Sequence, residues 1–256
     1  MINIIHYILI PFKIILFVIL IILGIYILKH TNDDGNITTL IIVFFKFVLH
    51  YLMSYNIEIS DEDYNKYMRY LYSDEKFLCV FNHISTIDGP VLLSTFPKIG
   101  FVLNKQNLFD YINYDDIVNN KVGGIFVYQE KKTNVTSKIN KAINNREKGG
   151  NILFISPSAC EISSEIENIS YFKRNGAFIN KTKILPILIK LPDYSIICNI
   201  YNETLFESFA KLFLHENYKI KIKVGDMIEP DEKESVDEYK DRVYNIMNRE
   251  YKELKV

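Results

Sequence analysis

The sequence contains no tryptophan, and its 256 residues include only 3 cysteines, 7 prolines and 10 glycines. So few prolines and glycines exclude collagen-like and glycine-rich low-complexity proteins. The three cysteines, Cys79, Cys160 and Cys198, are scattered, with no CxxC pair and no histidine at zinc-finger spacing. We therefore expect free buried thiols of a reducing compartment, without a disulfide framework and without a bound metal.

An excess of charge of either sign is also missing, because 30 basic and 31 acidic residues leave a net charge of −1. Proteins that bind nucleic acid through phosphate contacts usually carry a basic excess or a basic stripe, so we expect no nucleic-acid partner. Hydrophobic residues make up 48% of the chain, with 17 phenylalanines and 18 tyrosines. That content excludes global disorder and is enough for a buried core.

Long apolar runs are concentrated at the N-terminus. Uncharged, mostly aliphatic residues fill Ile14–Leu28, and the run extends back past Lys13 to about 20 residues, the length of a membrane-spanning helix. After a polar break, a second run covers Ile37–Met53 and is interrupted by Lys46 and His50. A pair of buried core helices is disfavoured, since a helix that is apolar on every face rarely fits a protein of this size.

Several membrane arrangements fit the two runs. One arrangement has two full membrane spans. A helical hairpin in one leaflet, or one span with an interfacial helix, suits the lengths of the runs and the positions of the lysines better. A cleaved signal peptide is disfavoured because no basic segment precedes the run and no small-residue cleavage site follows it. We expect residues 1–53 to be embedded in a membrane, resembling the endoplasmic reticulum or another internal membrane, and residues 54–256 to form the second domain.

The rest of the chain alternates short apolar runs with polar helical stretches, which predicts an α/β domain with a mixed, mostly parallel central sheet flanked by helices, preceded by the N-terminal apolar helical hairpin. Helices are predicted at Thr133–Lys148 and at Ser235–Leu254, which opens with a capping box. The last predicted strand alternates isoleucine with lysine, which favours an edge strand or one with a solvated face. The predicted strands are Phe77–Phe81, Ile99–Leu103, Gly124–Tyr128, Asn151–Ile155, Ile184–Ile189, Ser195–Tyr201 and Tyr218–Val224.

Polar residues that could take part in catalysis follow the first of these strands. Asn82 and His83 come directly after it, and Asp88 lies five residues beyond His83, at the edge where open α/β sheets usually place ligands. If a turn separates them, Asp88 can accept from one ring nitrogen of His83 and leave the other as a base. From the residues alone a structural alternative remains, with Asp88 as a helix cap and His83 as a hydrogen-bonded histidine.

The pattern Asn82-His83-x-Ser85-x-x-Asp88 resembles the first motif of the glycerolipid acyltransferases, the 1-acylglycerol-3-phosphate O-acyltransferase family. The resemblance spans roughly residues 75–190. It continues in order with further segments, listed here by the residues that begin or carry them: Lys105 after the second predicted strand, Gly124 in the second motif, Lys173 and Arg174 before Gly176-Ala177, and Ile184–Ile189 as the fourth motif.

The resemblance implies a membrane-bound enzyme that uses acyl-CoA as co-substrate, without a cofactor, a metal or a covalent intermediate. His83, held by Asp88, would deprotonate the hydroxyl of a lysophospholipid-like acceptor, which then attacks the thioester. Membrane lipids, acyl-CoA and the acceptor are the implied partners. The implied substrate-binding residues are Asn82, Ser85, Lys105, Gly124, Lys173 and Arg174.

Two motifs depart from the family pattern. Gln129 stands where the second motif usually ends in arginine, and Ser156-Pro157-Ser158-Ala159-Cys160-Glu161 stands where the third motif is normally Phe-Pro-Glu-Gly-Thr-Arg. We interpret Pro157, Ser158, Ala159 and Cys160 as a degenerate acceptor motif, so the acceptor headgroup stays open. Two alternatives remain: a CoA-independent transacylase similar to the tafazzin branch, and a catalytically decayed lipid-binding scaffold.

Overall fold

A computed structural model describes residues 4–31, 34–85, 87–104, 123–127, 134–158, 167–173, 176–193, 211–215 and 217–256. Its helices are α1 (Ile4–His30), α2 (Asp34–Lys46), α3 (Asp61–Leu71), α4 (Asp88–Thr95), α5 (Val135–Asn144) and α6 (Val236–Glu253), with a π-helix, Phe47–Leu52, directly after α2. Its strands are β1 (Tyr55–Ile59), β2 (Phe77–Phe81), β3 (Ile99–Asn104), β4 (Ile125–Val127), β5 (Ile152–Ile155), β6 (Lys183–Lys190) and β7 (Tyr218–Val224).

The seven strands form one sheet in the order β1-β7-β6-β2-β5-β3-β4. Neighbouring strands are parallel except for β6 and β7, which pair antiparallel. The strands β1 and β7 therefore run opposite to the other five, so β1 begins at the edge where β2 ends. The predicted fold class, a mixed and mostly parallel sheet flanked by helices, is confirmed.

Most of the predicted strands agree with the observed ones within one or two residues at each end. The prediction at Ser195–Tyr201 lies outside the described residues, and β1 was not predicted although Tyr55, Ile57 and Ile59 alternate with polar residues. The edge position proposed for Tyr218–Val224 is wrong, because β7 lies between β1 and β6. The other prediction for this strand, a solvated face, agrees with the structure, since Lys219 is exposed while Ile220 and Ile222 are buried.

The predicted helices are shorter in the structure. The C-terminal helix α6 begins after Ser235, whose side chain accepts from the Glu238 amide while Glu238 bonds back to Ser235, so the predicted capping box is present. Helix α5 ends at Asn144, four residues before the predicted end, because Asn145 and Arg146 turn the chain toward the end of α3.

Strand β2 lies near the middle of the sheet, between β6 and β5, and all five of its residues are buried. A strand covered on both faces reads as a continuous apolar run, which is why Phe77–Phe81 was recognisable in the sequence. Cys79 on this strand is a free, buried thiol, and burial raises its pKa well above the ordinary value. Thus β2 forms a rigid base for the residues that follow it.

The N-terminal helices form an antiparallel pair, in which a Cβ placed on Gly24 of α1 would lie 3.5 Å from the Phe44 ring of α2. Within the described residues, one helix is long and apolar enough to cross a membrane, at Ile8–His30, with a mean hydropathy of 3.1. The second apolar run differs from α1, because α2 packs on α4 and supplies the buried Ile37, and the π-helix supplies the buried Leu49. The second run thus packs against the core of the α/β domain.

One stripe of α1 packs against that core through partly buried apolar residues, while much of its remaining surface is apolar and exposed. The packed residues are Ile10, Ile14, Phe17 and Leu20. The exposed ones are Ile8, Leu9, Phe12, Ile15, Leu16, Val18, Ile19, Ile22, Leu23 and Tyr26. An exposed apolar surface of this extent marks a site of contact with lipid or with another protein.

A buried arginine fixes the end of α3 just before β2. The guanidinium of Arg146 donates to the carbonyl oxygens of Tyr70 and Leu71 through Nη2, at 2.9 and 2.6 Å. Through Nη1 it donates to those of Ser73 and Glu75, at 3.3 and 2.8 Å. Because the side chain is buried, it supplies donors to helix-end carbonyls that water cannot reach.

We expect Arg146→Met to lower the free energy of unfolding by about 3 kcal/mol, since four carbonyls lose their donor and several of them stay buried. Urea denaturation in detergent micelles measures the change. The matched control is Arg69→Met, on the exposed face of α3, which we expect to shift stability by less than about 0.5 kcal/mol. Equal stability of both variants would show that the carbonyls do not depend on Arg146.

Candidate active site

The end of β2 leads into a tight turn built around one carboxylate. Asp88 Oδ2 accepts hydrogen bonds from His83 Nδ1 at 2.7 Å, from the Ile84 amide at 2.7 Å and from the Ser85 amide at 3.0 Å. The Asp88 amide donates in return to the Ser85 carbonyl oxygen at 3.1 Å. The five-residue spacing of His83 and Asp88 is therefore closed into a contact, as the sequence predicted.

Asp88 is the first residue of α4, and it is buried. Backbone N–H groups and the positive end of a helix dipole both favour a negative charge at this position. The carboxylate therefore holds the histidine but does not cap α4, because its hydrogen bonds go to His83 and to the amides of Ile84 and Ser85, which precede the helix.

His83 keeps contact with solvent, with a side chain that is 23% exposed. The hydrogen bond from Nδ1 to the carboxylate puts the ring proton on Nδ1 and leaves the lone pair on Nε2. The ring also lies near Phe81, with centroids 6.4 Å apart at 74°. The orientation of the imidazole is thereby set from two sides, as a general base requires.

Asn82 and Ser85, two of the predicted substrate-binding residues, are both buried in this turn. The Asn82 amide donates to the Ile189 carbonyl oxygen and accepts from the Ile189 amide, each at 2.8 Å. It thereby extends the pairing of β2 with β6 one step past the end of the strand and holds His83 in place. Contact of either side chain with substrate stays a prediction.

The described part of the third motif, residues 156–158, follows β5, the strand next to β2. Strands β2 and β5 pair with Val80 opposite Ile155, so the next residues along, Phe81 and Ser156, are neighbours. Ser156 and Ser158 share a side of the chain, with their hydroxyl oxygens 2.9 Å apart, as His83 shares a side with Phe81. Because residues that pair across parallel strands project their side chains to the same face, the Ser156 side chain lies on the face of the sheet that Phe81 occupies, and the Ser158 hydroxyl, which is buried, lies next to it.

The other predicted residues fall into two groups. Lys173 is exposed, and its amide donates to the Pro157 carbonyl oxygen at 3.0 Å, so its backbone lies next to the third motif. Gly124 is buried just before β4. The strand pairings from β4 through β3 and β5 to β2 place it at the level of Cys79. Cys79 precedes His83 by four residues, which corresponds to about 13 Å along the strand direction. The structure does not bring Gly124 to the pair.

Lys105, Arg174, Ala159 and Cys160 lie outside the described residues, as does Gln129 of the second motif. Their predicted roles stay predictions. In the described ranges, no group of three or more histidine, cysteine, aspartate and glutamate side chains could hold a metal ion.

The sequence did not indicate two parts of the site. The amides of Ile84 and Ser85 carry no residue-type signal, because any residue except proline supplies one. The Ser156 hydroxyl was not selected as a site residue, although a serine on either side of Pro157 at the end of an apolar strand was a usable signal.

The fold is similar to that of a solved enzyme, the 1-acyl-sn-glycerophosphate acyltransferase PlsC from Thermotoga maritima. The two structures align with a TM-score of 0.67 and 16% sequence identity, over 100% of this chain and 98% of the other. At this identity the likeness concerns the fold. A search of curated proteins found no match.

A family model described as Acyltransferase matches residues 62–190, just over half of the sequence. This range includes β2, the turn with His83 and Asp88, the third motif and β6. It also covers nearly all of the residues on which the resemblance to glycerolipid acyltransferases was based, and that resemblance is confirmed. The chain belongs to the acyltransferase family.

Proposed function

We propose that this protein is a membrane-bound O-acyltransferase that transfers a fatty acyl group from acyl-CoA to the free hydroxyl of a lysophospholipid-like acceptor. The observation that carries the proposal is the bond from His83 Nδ1 to a buried carboxylate that is itself held by two backbone amides. That arrangement leaves Nε2 as a base in a partly open position.

The reaction follows from this geometry. Nε2 of His83 takes the proton from the acceptor hydroxyl as its oxygen attacks the thioester carbonyl carbon, and Asp88 stabilises the imidazolium that forms. The tetrahedral intermediate collapses with cleavage of the carbon–sulfur bond. The imidazolium then returns the proton to the departing thiolate, so the products are the acylated lipid and free CoA.

A lysophospholipid-like acceptor is supported by the fold, since PlsC is a 1-acyl-sn-glycerophosphate acyltransferase with the same architecture. Membrane association is supported by α1, whose exposed side chains are apolar over most of its length. Because β1 begins at the edge where β2 ends, the π-helix that precedes β1 also lies toward the His83 edge. The end of the second apolar run therefore lies toward the edge of the sheet at which a lipid acceptor would bind, while its beginning lies near Lys98 and Asn151 at the opposite edge.

The first test compares membranes that carry the wild-type protein with membranes that carry His83→Ala. We expect the variant to lose about 10²- to 10⁴-fold in turnover, the usual contribution of a general base. The assay uses radiolabelled oleoyl-CoA with lysophosphatidate, lysophosphatidylcholine and lysophosphatidylethanolamine, and the products are separated by chromatography. The matched control is His30→Ala, an exposed histidine at the end of α1, which should retain full turnover.

Turnover that survives in His83→Ala would contradict the assignment of the base. Absence of product from both proteins, followed by transfer from a phospholipid donor without CoA, would identify the transacylase alternative. Absence of turnover with every donor, in wild-type protein that is folded and membrane-bound, would favour the decayed scaffold.

Asp88→Asn should lower kcat by about 10²-fold or more, because the amide no longer selects the Nδ1–H tautomer and no longer stabilises the imidazolium. The acceptor KM should change little, since Asp88 is buried and lies behind His83. Steady-state kinetics on the best acceptor of the panel measures both constants. An unchanged kcat would show that the carboxylate only fixes the turn between β2 and α4.

A charge test examines membrane binding. Ile15→Lys combined with Ile19→Lys places two charges on the exposed face of α1, and each costs about 2.5–3.5 kcal/mol in an apolar lipid environment. We expect at least tenfold less protein to float with phosphatidylcholine vesicles after cell-free synthesis. The control, Ile179→Lys, changes an exposed isoleucine of the α/β domain. Equal flotation of all proteins would show that another surface holds the membrane.

A further inference from the structure

The segment 167–173, called here the strap, lies along α6 and ends at the third motif. The Tyr244 hydroxyl donates to the Ile169 carbonyl oxygen at 3.4 Å, and the Tyr171 hydroxyl donates to Asp241. Phe172 is buried against the rings of Phe178 and Tyr244. The strap has neither helical nor strand pairing of its own, so these contacts with α6 fix its position.

Asn248 of α6 makes the most specific of these contacts. Its Oδ1 accepts from the Ile169 amide at 3.0 Å, and its Nδ2 donates to Asn168 Oδ1 at 3.1 Å. One amide side chain thus satisfies a backbone donor and a side-chain acceptor on adjacent residues of the strap. Because Asn248 accepts one of these hydrogen bonds and donates the other, the two bonds together fix the position and the orientation of the strap along α6.

Helix α6 is itself held firmly to the sheet. The Tyr239 hydroxyl donates to the Thr182 carbonyl oxygen at 2.7 Å, just before β6, and Lys190 Nζ donates to the Tyr251 carbonyl oxygen at 2.9 Å, at the end of β6. Between these two anchors, Met247 is fully buried. Because α6 is anchored at both ends of β6, Asn248 occupies a fixed position relative to the sheet.

The strap connects Asn248 to the described part of the third motif. Four residues after Ile169, the Lys173 amide donates to the Pro157 carbonyl oxygen at 3.0 Å. Pro157 lies between Ser156 and Ser158, whose hydroxyl oxygens are 2.9 Å apart, and Ser156 is the register neighbour of Phe81, two residues before His83. Lys173, a predicted substrate-binding residue, is the last described residue of the same strap.

We infer that Asn248 is a positioning residue for the acceptor side of the active site. It acts through the strap on Lys173 and on the serine pair, without contact with substrate or with His83. This inference rests on the proposed function and adds to it a division of labour. The central turn sets the position of the base, whereas the C-terminal helix sets the position of the surface against which the acceptor lies, so that loss of Asn248 weakens acceptor binding more than it slows the chemical step.

The experiment compares Asn248→Leu with wild-type protein in detergent micelles, using oleoyl-CoA and the best acceptor of the panel. We expect the acceptor KM to rise about tenfold, with kcat changed less than threefold and the KM for oleoyl-CoA unchanged. Asn248→Asp keeps an oxygen for the Ile169 amide and should restore at least half of the lost acceptor affinity. The matched control is Asn245→Leu, an exposed asparagine one turn earlier on α6.

Hydrogen exchange measured by mass spectrometry supplies a second readout. We expect Asn248→Leu to lose amide protection in residues 167–173 and around Pro157, while peptides from β2 and β6 keep theirs. A rise in KM together with this local loss supports the inference. An unchanged acceptor KM in Asn248→Leu overturns it, as does an equal change of kcat and both KM values together with loss of protection throughout the domain.

Wild-type turnover is measured before any variant, so that the two proposals fail separately. Absence of turnover in the wild type overturns the proposed function and this inference with it. Turnover in the wild type with normal kinetics in Asn248→Leu overturns the inference alone.

Discussion

A carboxylate that has left water must be compensated, because removing such a charge from solvent carries a penalty of several kcal/mol. Asp88 is 1% exposed, and three donors converge on a single one of its oxygens. This constraint explains why the chain turns tightly after β2, why α4 begins at Asp88 and why the His83 ring has one orientation. The geometry of the candidate site and the local fold thus depend on the same buried carboxylate, whose Oδ2 receives all three of these hydrogen bonds.

Local patterns in the sequence were sufficient to predict the elements and contacts that are formed by residues close together in the sequence. Phe77–Phe81 was recognisable because burial on both faces produces a continuous apolar run, and the contact of His83 with Asp88 needed only one turn. The position of β7 between β1 and β6 was not recognisable, since strand order depends on pairing between distant residues. An alternating strand has one solvated face whether it lies at an edge or inside the sheet.

The same distinction applies within the site. His83 and Asp88 are close in sequence, but Ser156 comes near them only through the register of β5 with β2, and Asn248 contacts the strap from a distant part of the sequence. Ser156 belongs to the divergent third motif but was not selected there as a site residue, and Asn248 lies outside the segments of the acyltransferase pattern. The second apolar run is a similar case: its composition suits a membrane, yet α2 packs on α4, because an apolar helix can be covered by protein as well as by lipid.

The pairing of β1 with β7 affects the order in which the chain can fold during synthesis. Within the described sheet, β1 has one neighbour, and Tyr55 pairs with Tyr218 near the other end of the sequence. As the protein leaves the ribosome, β1 therefore emerges before β7 and remains an unpaired strand until the residues between them have been translated. The apolar helices before it emerge earlier still, so a chain bound for lipid would reach the bilayer before its sheet is complete. Contacts of such long sequence separation also slow folding, and a nascent chain that ends before β7 would expose a ready template for aggregation.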